Sequence, residues 1–184
     1  MISTVDEDLV RVSKRLSWAL RHDPAAAGLV LDAQGWVAVA DMLAALNVSH
    51  EVLDAVVEGN DKRRFAVERG GDGIERIRAS QGHSVRVDLG LDPVTPPAIL
   101  FHGTPASNLD SIMADGLRPG RRQHVHLSAD QQTAAAVGRR RRVPAKVLAV
   151  DSGAMAAAGY LFYRSANGVW LTNHVPAAYL KALS

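Results

Sequence analysis

Arg21, His22, Arg64 and Arg122 each stand beside or within an ordered-looking element of this 184-residue chain. Guanidinium groups that converge from several elements grip a phosphate through paired, charge-assisted hydrogen bonds. Taken singly, Arg21, Arg64 and Arg122 are each more simply a solvated surface arginine; joined to the polar motifs downstream, they form a phosphate-handling set. In Arg78-Ala79-Ser80-Gln81-Gly82-His83-Ser84, a strand ends in a run of polar donors with one glycine that permits close backbone approach. Such a run suits a groove that follows a nucleic-acid backbone, with Arg78, Gln81 and His83 as the candidate RNA contacts. A polar loop with a locally satisfied histidine is the plainer alternative.

His102-Gly103-Thr104 follows the apolar stretch Ile99-Leu100-Phe101, and His126-Leu127-Ser128 closes another, so both histidines are expected at strand ends where pockets open. Imidazole, hydroxyl and backbone groups there can hold a nucleotide cofactor without a phosphate loop. Asn167-Gly168 promotes a tight turn before Val169-Trp170-Leu171-Thr172, and Trp170 can wall a ring-binding pocket, although a strand tryptophan is more often core. No metal site is expected. His124 and His126 share a strand face, but no nearby carboxylate or cysteine completes a coordination shell. Gly70-Gly71-Asp72-Gly73 lacks the Lys-Ser/Thr pair and the following helix of a phosphate loop and reads as a turn. Arg139 to Arg142 is four consecutive arginines, which fan outward and read as a solvated face that attracts polyanions at long range.

The elements that must carry these residues follow from apolar spacing. Leu9, Val12, Leu16, Ala19 and Leu20 recur at helical intervals, and Pro24 forces Asp23 out of the helical region, so a first helix ends near Arg21-His22. A second helix, capped by Asp41, holds Met42, Leu43 and Leu46; a third, capped by Ser49, carries Val52, Leu53, Val56 and Val57 and breaks at Gly59-Asn60-Asp61. Arg64 to Glu68 and Ile74 to Arg78 read as a hairpin. Three helices and a hairpin make a winged-helix-like lobe. Leu89 to Pro97, with three prolines, reads as a linker. Beyond it, strands at Ile99 to Phe101, Val125 to Leu127, Lys146 to Val150 and Val169 to Thr172 alternate with helices near Asn108 to Ala114 and Ala129 to Gly138. Tyr160 to Phe162 is expected to pair with the last of these strands. The fold class is α+β, in two lobes spanning residues 1–92 and 93–184.

Composition fits a folded chain whose second half is the better anion binder. With 47% hydrophobic residues the chain can bury a core, and with no cysteine it forms neither disulfides nor thiolate zinc sites. Met1 to Val12 carries Asp6, Glu7 and Asp8 instead of a basic leader, and no apolar run approaches a membrane span, so a soluble cytoplasmic protein is expected; oligomeric state is left open by the sequence, with a monomer as the default. The net charge of +2 is split unevenly. Residues 1–92 hold 11 Lys+Arg against 15 Asp+Glu, a balance of −4; residues 93–184 hold 10 against 4, a balance of +6.

In order, Leu20-Arg21-His22, Gly35-Trp36, Arg63-Arg64-Phe65, Arg78 to Ser84, His102-Gly103-Thr104, Val125-His126-Leu127-Ser128 and Asn167-Gly168-Val169-Trp170-Leu171 resemble the RNA 2′-phosphotransferase family. The likeness runs from about Leu16 to Leu180. It implies a winged-helix-like RNA lobe and a C-terminal lobe related to ADP-ribosyltransferases. It further implies metal-free, NAD-dependent removal of an internal RNA 2′-phosphate, such as tRNA splicing leaves. In the implied reaction the phosphate displaces nicotinamide to give an ADP-ribosylated RNA phosphate. A ribose hydroxyl then attacks phosphorus, expelling 2′-OH RNA and forming ADP-ribose 1″,2″-cyclic phosphate. The implied catalytic set is Arg21, His22, Arg64 and Arg122, with Arg121 competing for the last place and Arg122 preferred by its three-residue spacing to Val125. Arg21 and Arg64 would clamp the phosphate, His22 would orient it or carry a proton, and Arg122 would stabilise the second transition state. The implied NAD pocket is His102, Gly103, Thr104, His126, Ser128, Asn167, Gly168, Val169 and Trp170, with apolar Val169 where ADP-ribosyltransferases usually carry glutamate.

Two other functions fit the same residues. One is an ADP-ribosyltransferase that leaves a stable adduct on a nucleic-acid phosphate or a protein. The other is a non-catalytic RNA-binding module, which would have no need of the polar triplets at strand ends.

Overall fold

The computed structural model describes residues 4–60, 62–139 and 143–183. It is a mixed α/β protein with, among those residues, six α-helices and three small antiparallel sheets. The chain divides into two compact units, Met1–Gly90 and Leu91–Ser184.

In the first unit, helix α1 (Thr4–Arg21) buries Val12, Leu16, Ala19 and Leu20, the stripe that helical spacing predicts. It stops where expected. The His22 and Asp23 amides both donate to the Trp18 carbonyl, at 2.9 and 3.2 Å, and Pro24 opens a 3-10 turn at Ala25–Ala27. Strand β1 (Val37–Ala38) leads directly into α2 (Val39–Leu46), so the N-cap is Ala38, and Asp41 lies in the first turn, where it favours the helix dipole. The expected Asp41 cap is therefore two residues inside the helix. Ser49 does cap α3 (His50–Glu58), its hydroxyl accepting from the Val52 amide at 3.4 Å. The hairpin forms from β2 (Phe65–Arg69) and β3 (Glu75–Ala79), one residue later than the sequence suggests, with Phe65 opposite Ala79 and Arg69 opposite Glu75. The sheet order is β1-β3-β2. Leu16, Leu20, Met42, Leu53 and Ile77 meet in the core, each 1% exposed or less, and each such side chain contributes about 1.5–3 kcal/mol of hydrophobic stabilisation.

The second unit holds β4 (Leu100–Pro105), α4 (Leu109–Asp115), β5 (Val125–Leu127), α5 (Gln131–Gly138), β6 (Ala145–Val150), α6 (Ser152–Ala157), β7 (Phe162–Arg164), β8 (Trp170–Thr172) and β9 (Leu180–Ala182). Sheets β4-β6-β9 and β5-β8-β7 are stitched together where Phe101 and Ser128 exchange backbone bonds of 2.9 and 2.8 Å. Leu100, Leu127, Leu148, Met155 and Phe162 fill the core. Strand β4 pairs with β6 over all six residues, so His102, Gly103 and Thr104 lie inside the strand and not beyond it. Likewise His126 is the middle residue of β5.

Gly103 has a packing reason. A Cβ built there would lie 1.7 Å from the Ala134 carbonyl oxygen, so α5 rests on the bare backbone of β4. By strand alternation His102 and Thr104 point to the other face. The proline-rich stretch is tied to the second unit and is not a free linker. Val94 donates to the Phe162 carbonyl at 2.8 Å, and the Ser152 hydroxyl donates to the Pro97 carbonyl at 2.7 Å. Helix α6 and strand β9 have no counterpart in the sequence reading. Arg139 is the C-cap of α5; Arg140 to Arg142 lie outside the described residues, as does Asp61. Among described residues no helix is long and apolar enough to cross a membrane.

Candidate active site

Arg21, His22 and Arg64 come together in the first unit. The carbonyl of Arg21, at the C-terminus of α1, accepts from the Ser84 and Val85 amides at 2.8 and 3.3 Å, which fastens the Ser84 loop to the helix end. The Ser84 hydroxyl lies 3.3 Å from the same carbonyl and 3.0 Å from Nδ1 of His22. A hydroxyl has one proton. With that proton given to the carbonyl, Ser84 accepts from Nδ1–H and sets the tautomer of His22. The Arg21 Nη2 donates to the Arg64 carbonyl at 3.3 Å, which also accepts from the Ser80 amide at 2.8 Å. Gly82 adopts φ +92°, a left-handed conformation that glycine takes without steric cost, where the loop passes the Arg21 side chain.

Arg64 is held from below by Asn60. The Asn60 Oδ1 accepts from Arg64 Nη1 at 3.0 Å and from the Lys62 amide at 3.2 Å, while Asn60 itself is 7% exposed. Both partners are donors, so the amide orientation is dictated by the network. The intervening Arg63 adopts φ +41°, a left-handed conformation costly for a non-glycine residue, and its carbonyl is caught by the Ser80 hydroxyl at 2.8 Å. The loop before residue 64 is thus held in a bent conformation. His22 and Arg64 line one cleft of about 790 Å³ between α1 and the end of α3. Ser80 and Ser84, both in the polar run after the strand, act as supports, and Asn60 is a supporting residue that types and spacing alone do not single out. The available signal was an asparagine just past a helix end, four residues before an arginine.

The three candidate RNA residues sit differently. Arg78 lays its guanidinium over Trp36, 4.5 Å from the ring centre, and donates to the Gln34 carbonyl at 3.3 Å; Gln81 is partly exposed. His83 is buried, 2% exposed, and neither ring nitrogen has a hydrogen-bond partner among the described residues. Burial first, and then the charges of Arg21, Arg78 and His22, push its pKa down to about 4, so the ring is neutral near pH 7.

In the second unit His102 Nδ1 lies 3.0 Å from the His126 carbonyl. A carbonyl only accepts, so Nδ1 carries the proton and Nε2 is the ring's acceptor. Burial lowers the His102 pKa, opposed by that hydrogen bond and aided by the Arg122 charge. Arg122 Nη1 reaches Nδ1 of His126 at 3.5 Å, from a turn in which the Arg122 amide donates to the Pro119 carbonyl. Arginine cannot accept, which makes that Nδ1 the acceptor and puts the His126 proton on Nε2. Thr104 is buried at 2% exposure, and Ser128 is partly exposed just past β5.

Asn167 and Gly168 form the expected turn of the β7-β8 hairpin, with Gly168 at φ +80°. The turn is knotted by Ser165, whose hydroxyl contacts Asn167 Oδ1 at 2.7 Å and the Val169 amide at 3.1 Å. Trp170 is 7% exposed, pairs across to Leu127 and has the Arg164 guanidinium 5.7 Å from its ring. Among the described residues no group of three or more His, Cys, Asp or Glu could hold a metal ion. His124 instead packs edge-on to Tyr163 at 5.8 Å, and burial lowers its pKa.

Comparison with known proteins matches residues 7–174 to the model of the RNA 2′-phosphotransferase, Tpt1 / KptA family. Proteins named "Probable RNA 2′-phosphotransferase" from Agrobacterium fabrum and Streptomyces griseus are 56% identical over 173 residues and 54% identical over 180 residues. The alignments cover 91% of both chains in the first case, and 93% of this chain and 95% of the relative in the second. A protein of the same name from Acaryochloris marina is 52% identical over 180 residues, covering 95% of this chain and 97% of its own. This chain belongs to the RNA 2′-phosphotransferase family.

Proposed function

We propose that this enzyme transfers an internal RNA 2′-phosphate to NAD, giving 2′-OH RNA, nicotinamide and ADP-ribose 1″,2″-cyclic phosphate. The observation that carries the reading is the Arg21, His22 and Arg64 cluster, in which two guanidinium groups and one imidazole are tied to a single network of backbone carbonyls, Ser84 and Asn60. Positioned cations of this kind are what a transferring phosphoryl group requires, because little covalent work is left for the protein. In this reading the first unit is a winged-helix-like RNA lobe, with Arg78 and Gln81 toward the strand and His83 acting from beneath the surface. The second is an ADP-ribosyltransferase-like NAD lobe. The enzyme is a cytoplasmic monomer, and internal 2′-phosphates of the kind left by tRNA splicing are its substrates.

The donor set of the second unit suits NAD. His102, kept neutral by burial and with Nδ1–H committed to the His126 carbonyl, offers Nε2 as an acceptor for a ribose hydroxyl. Ser128, Thr104, Gly103, His126 and the turn Asn167, Gly168, Val169 and Trp170 complete the proposed group. NAD supplies an electrophilic ribose carbon bearing a cationic leaving group. Orientation of the attacking phosphate therefore matters more than a strong base, and Arg21 and Arg64 are assigned that task. His22, with its tautomer set by Ser84, orients the phosphate or carries a proton.

Arg122 is assigned the charge that develops at phosphorus in the second step. Losing one charge-assisted contact is worth about 1.5–3 kcal/mol, so Arg122→Ala should slow that step by about 10- to 150-fold in single-turnover assays. An Arg122→Ala enzyme that completes the second step at the normal rate overturns the assignment. The function itself is tested by nicotinamide release. It should depend on an RNA bearing an internal 2′-phosphate and be absent with the same RNA carrying a 2′-hydroxyl.

A further inference from the structure

We infer that the cleft between α1 and α3 is a nucleobase subsite, which takes one base of the RNA strand adjoining the 2′-phosphate and stacks it on Trp18. The inference rests on the functional reading above, since it places the phosphate at His22 and Arg64. Trp18 is 57% exposed, whereas Trp36 and Trp170 are each 7% exposed. On α1 it lies opposite the buried stripe, in the four-residue ladder Val10, Lys14, Trp18, His22, and all four line the cleft. The ladder ends on the proposed phosphate group. Trp18 and His22 have ring centres 5.2 Å apart, and Arg64 lines the same cleft.

Charge points to a strand of nucleic acid in preference to an apolar peptide. The first 92 residues carry a net −4, yet the described residues lining this cleft include Lys14 and Arg64 and no carboxylate. A cationic groove with an aromatic platform is the pattern by which proteins hold single-stranded nucleic acid: the cation tracks the backbone and the ring stacks a base of any sequence. The cleft, at about 790 Å³, is of the size that takes a nucleoside with its phosphate. Trp18 is 57% exposed and is not one of the described side chains packed in the core of the first unit.

The test compares wild type, Trp18→Ala and Trp18→Phe on an RNA with an internal 2′-phosphate, and on matched RNAs lacking the base immediately 5′ or 3′ of it. Trp18→Ala should raise KM for the intact RNA by about 5- to 150-fold, leave KM for NAD unchanged, and be largely rescued by Trp18→Phe. On one of the two abasic RNAs, wild type and Trp18→Ala should become equal, which identifies the stacked neighbour. Equal KM values on the intact RNA would overturn the proposal, as would a penalty undiminished on both abasic RNAs. A shift confined to KM for NAD would assign the platform to the NAD adenine and also overturn it. If wild type itself fails to turn over the phosphorylated RNA, the functional reading falls, and this subsite with it. If wild type turns over and Trp18→Ala matches it, only the subsite falls.

Discussion

Asn60 offers a sharp test of how the arginines proposed to handle phosphate are held. Its Oδ1 anchors the Arg64 guanidinium at 3.0 Å and the Lys62 amide at 3.2 Å, from a side chain that is 7% exposed. In Asn60→Ala the guanidinium loses a charge-assisted bond, which is worth about 1.5–3 kcal/mol. The stability cost is partly offset, because the Asn60 Nδ2 is buried without a hydrogen-bond partner among the described residues and its removal relieves that penalty. A net destabilisation of about 1–2 kcal/mol in urea unfolding is therefore expected. The effect on rate is larger. An arginine released from its anchor must be reordered around the phosphate, and single-turnover rates with 2′-phosphorylated RNA should drop by about 10- to 150-fold. Asn60→Asp separates anchoring from charge. It keeps the acceptor for both donors but sets a carboxylate against Arg64, so folding should hold while KM for RNA rises and its salt dependence weakens. Wild-type kcat/KM in Asn60→Ala would refute the reasoning, since Arg64 would then need no such support.

Other expectations follow from packing and titration. Gly103→Ala places a methyl 1.7 Å from the Ala134 carbonyl oxygen, so α5 must lift off β4. The cost should be about 3 kcal/mol or more, seen as a lowered urea midpoint; unchanged stability would contradict the close seating of that helix. His83 governs part of the acid limb. Its folded pKa of about 4 lies below the ordinary 6.5, so between those values the unfolded chain binds more protons and stability falls as pH falls. The contribution is fully present above pH 6.5 and is lost as pH drops through 4, to the extent of about 3 kcal/mol. His83→Gln should flatten the stability profile in that window relative to wild type, and parallel profiles would show that the ring does not titrate this way.

Local rules carried much of the fold. Pro24 fixed the end of α1, Ser49 capped α3, and Asn167-Gly168 turned the β7-β8 hairpin, each because the determining chemistry lies within a few residues. The misreadings came where distant pairing decides. The sequence His102 to Pro105 has no strong strand signal of its own, and it is extended because β6 bonds to it along its full length. The cap of α2 moved because β1, two residues long, is defined by its partner β3. The arginines and histidines proposed for the site stand out by their types and order alone. What was not legible is the scaffolding: Asn60 and Ser165 act through contacts formed only after the loop or turn has folded, and Trp18 stands out once its exposure is known.

Arg21, His22 and Arg64 are proposed to present an RNA phosphate for transfer to NAD. Purified enzyme should be incubated with NAD and an RNA bearing one internal 2′-phosphate, and the products weighed by mass spectrometry. An RNA lighter by one phosphate, free nicotinamide and ADP-ribose 1″,2″-cyclic phosphate should form in equal amounts if phosphate passes from RNA to NAD. An RNA or protein carrying a stable ADP-ribosyl adduct, or RNA recovered unchanged with NAD intact, would contradict it.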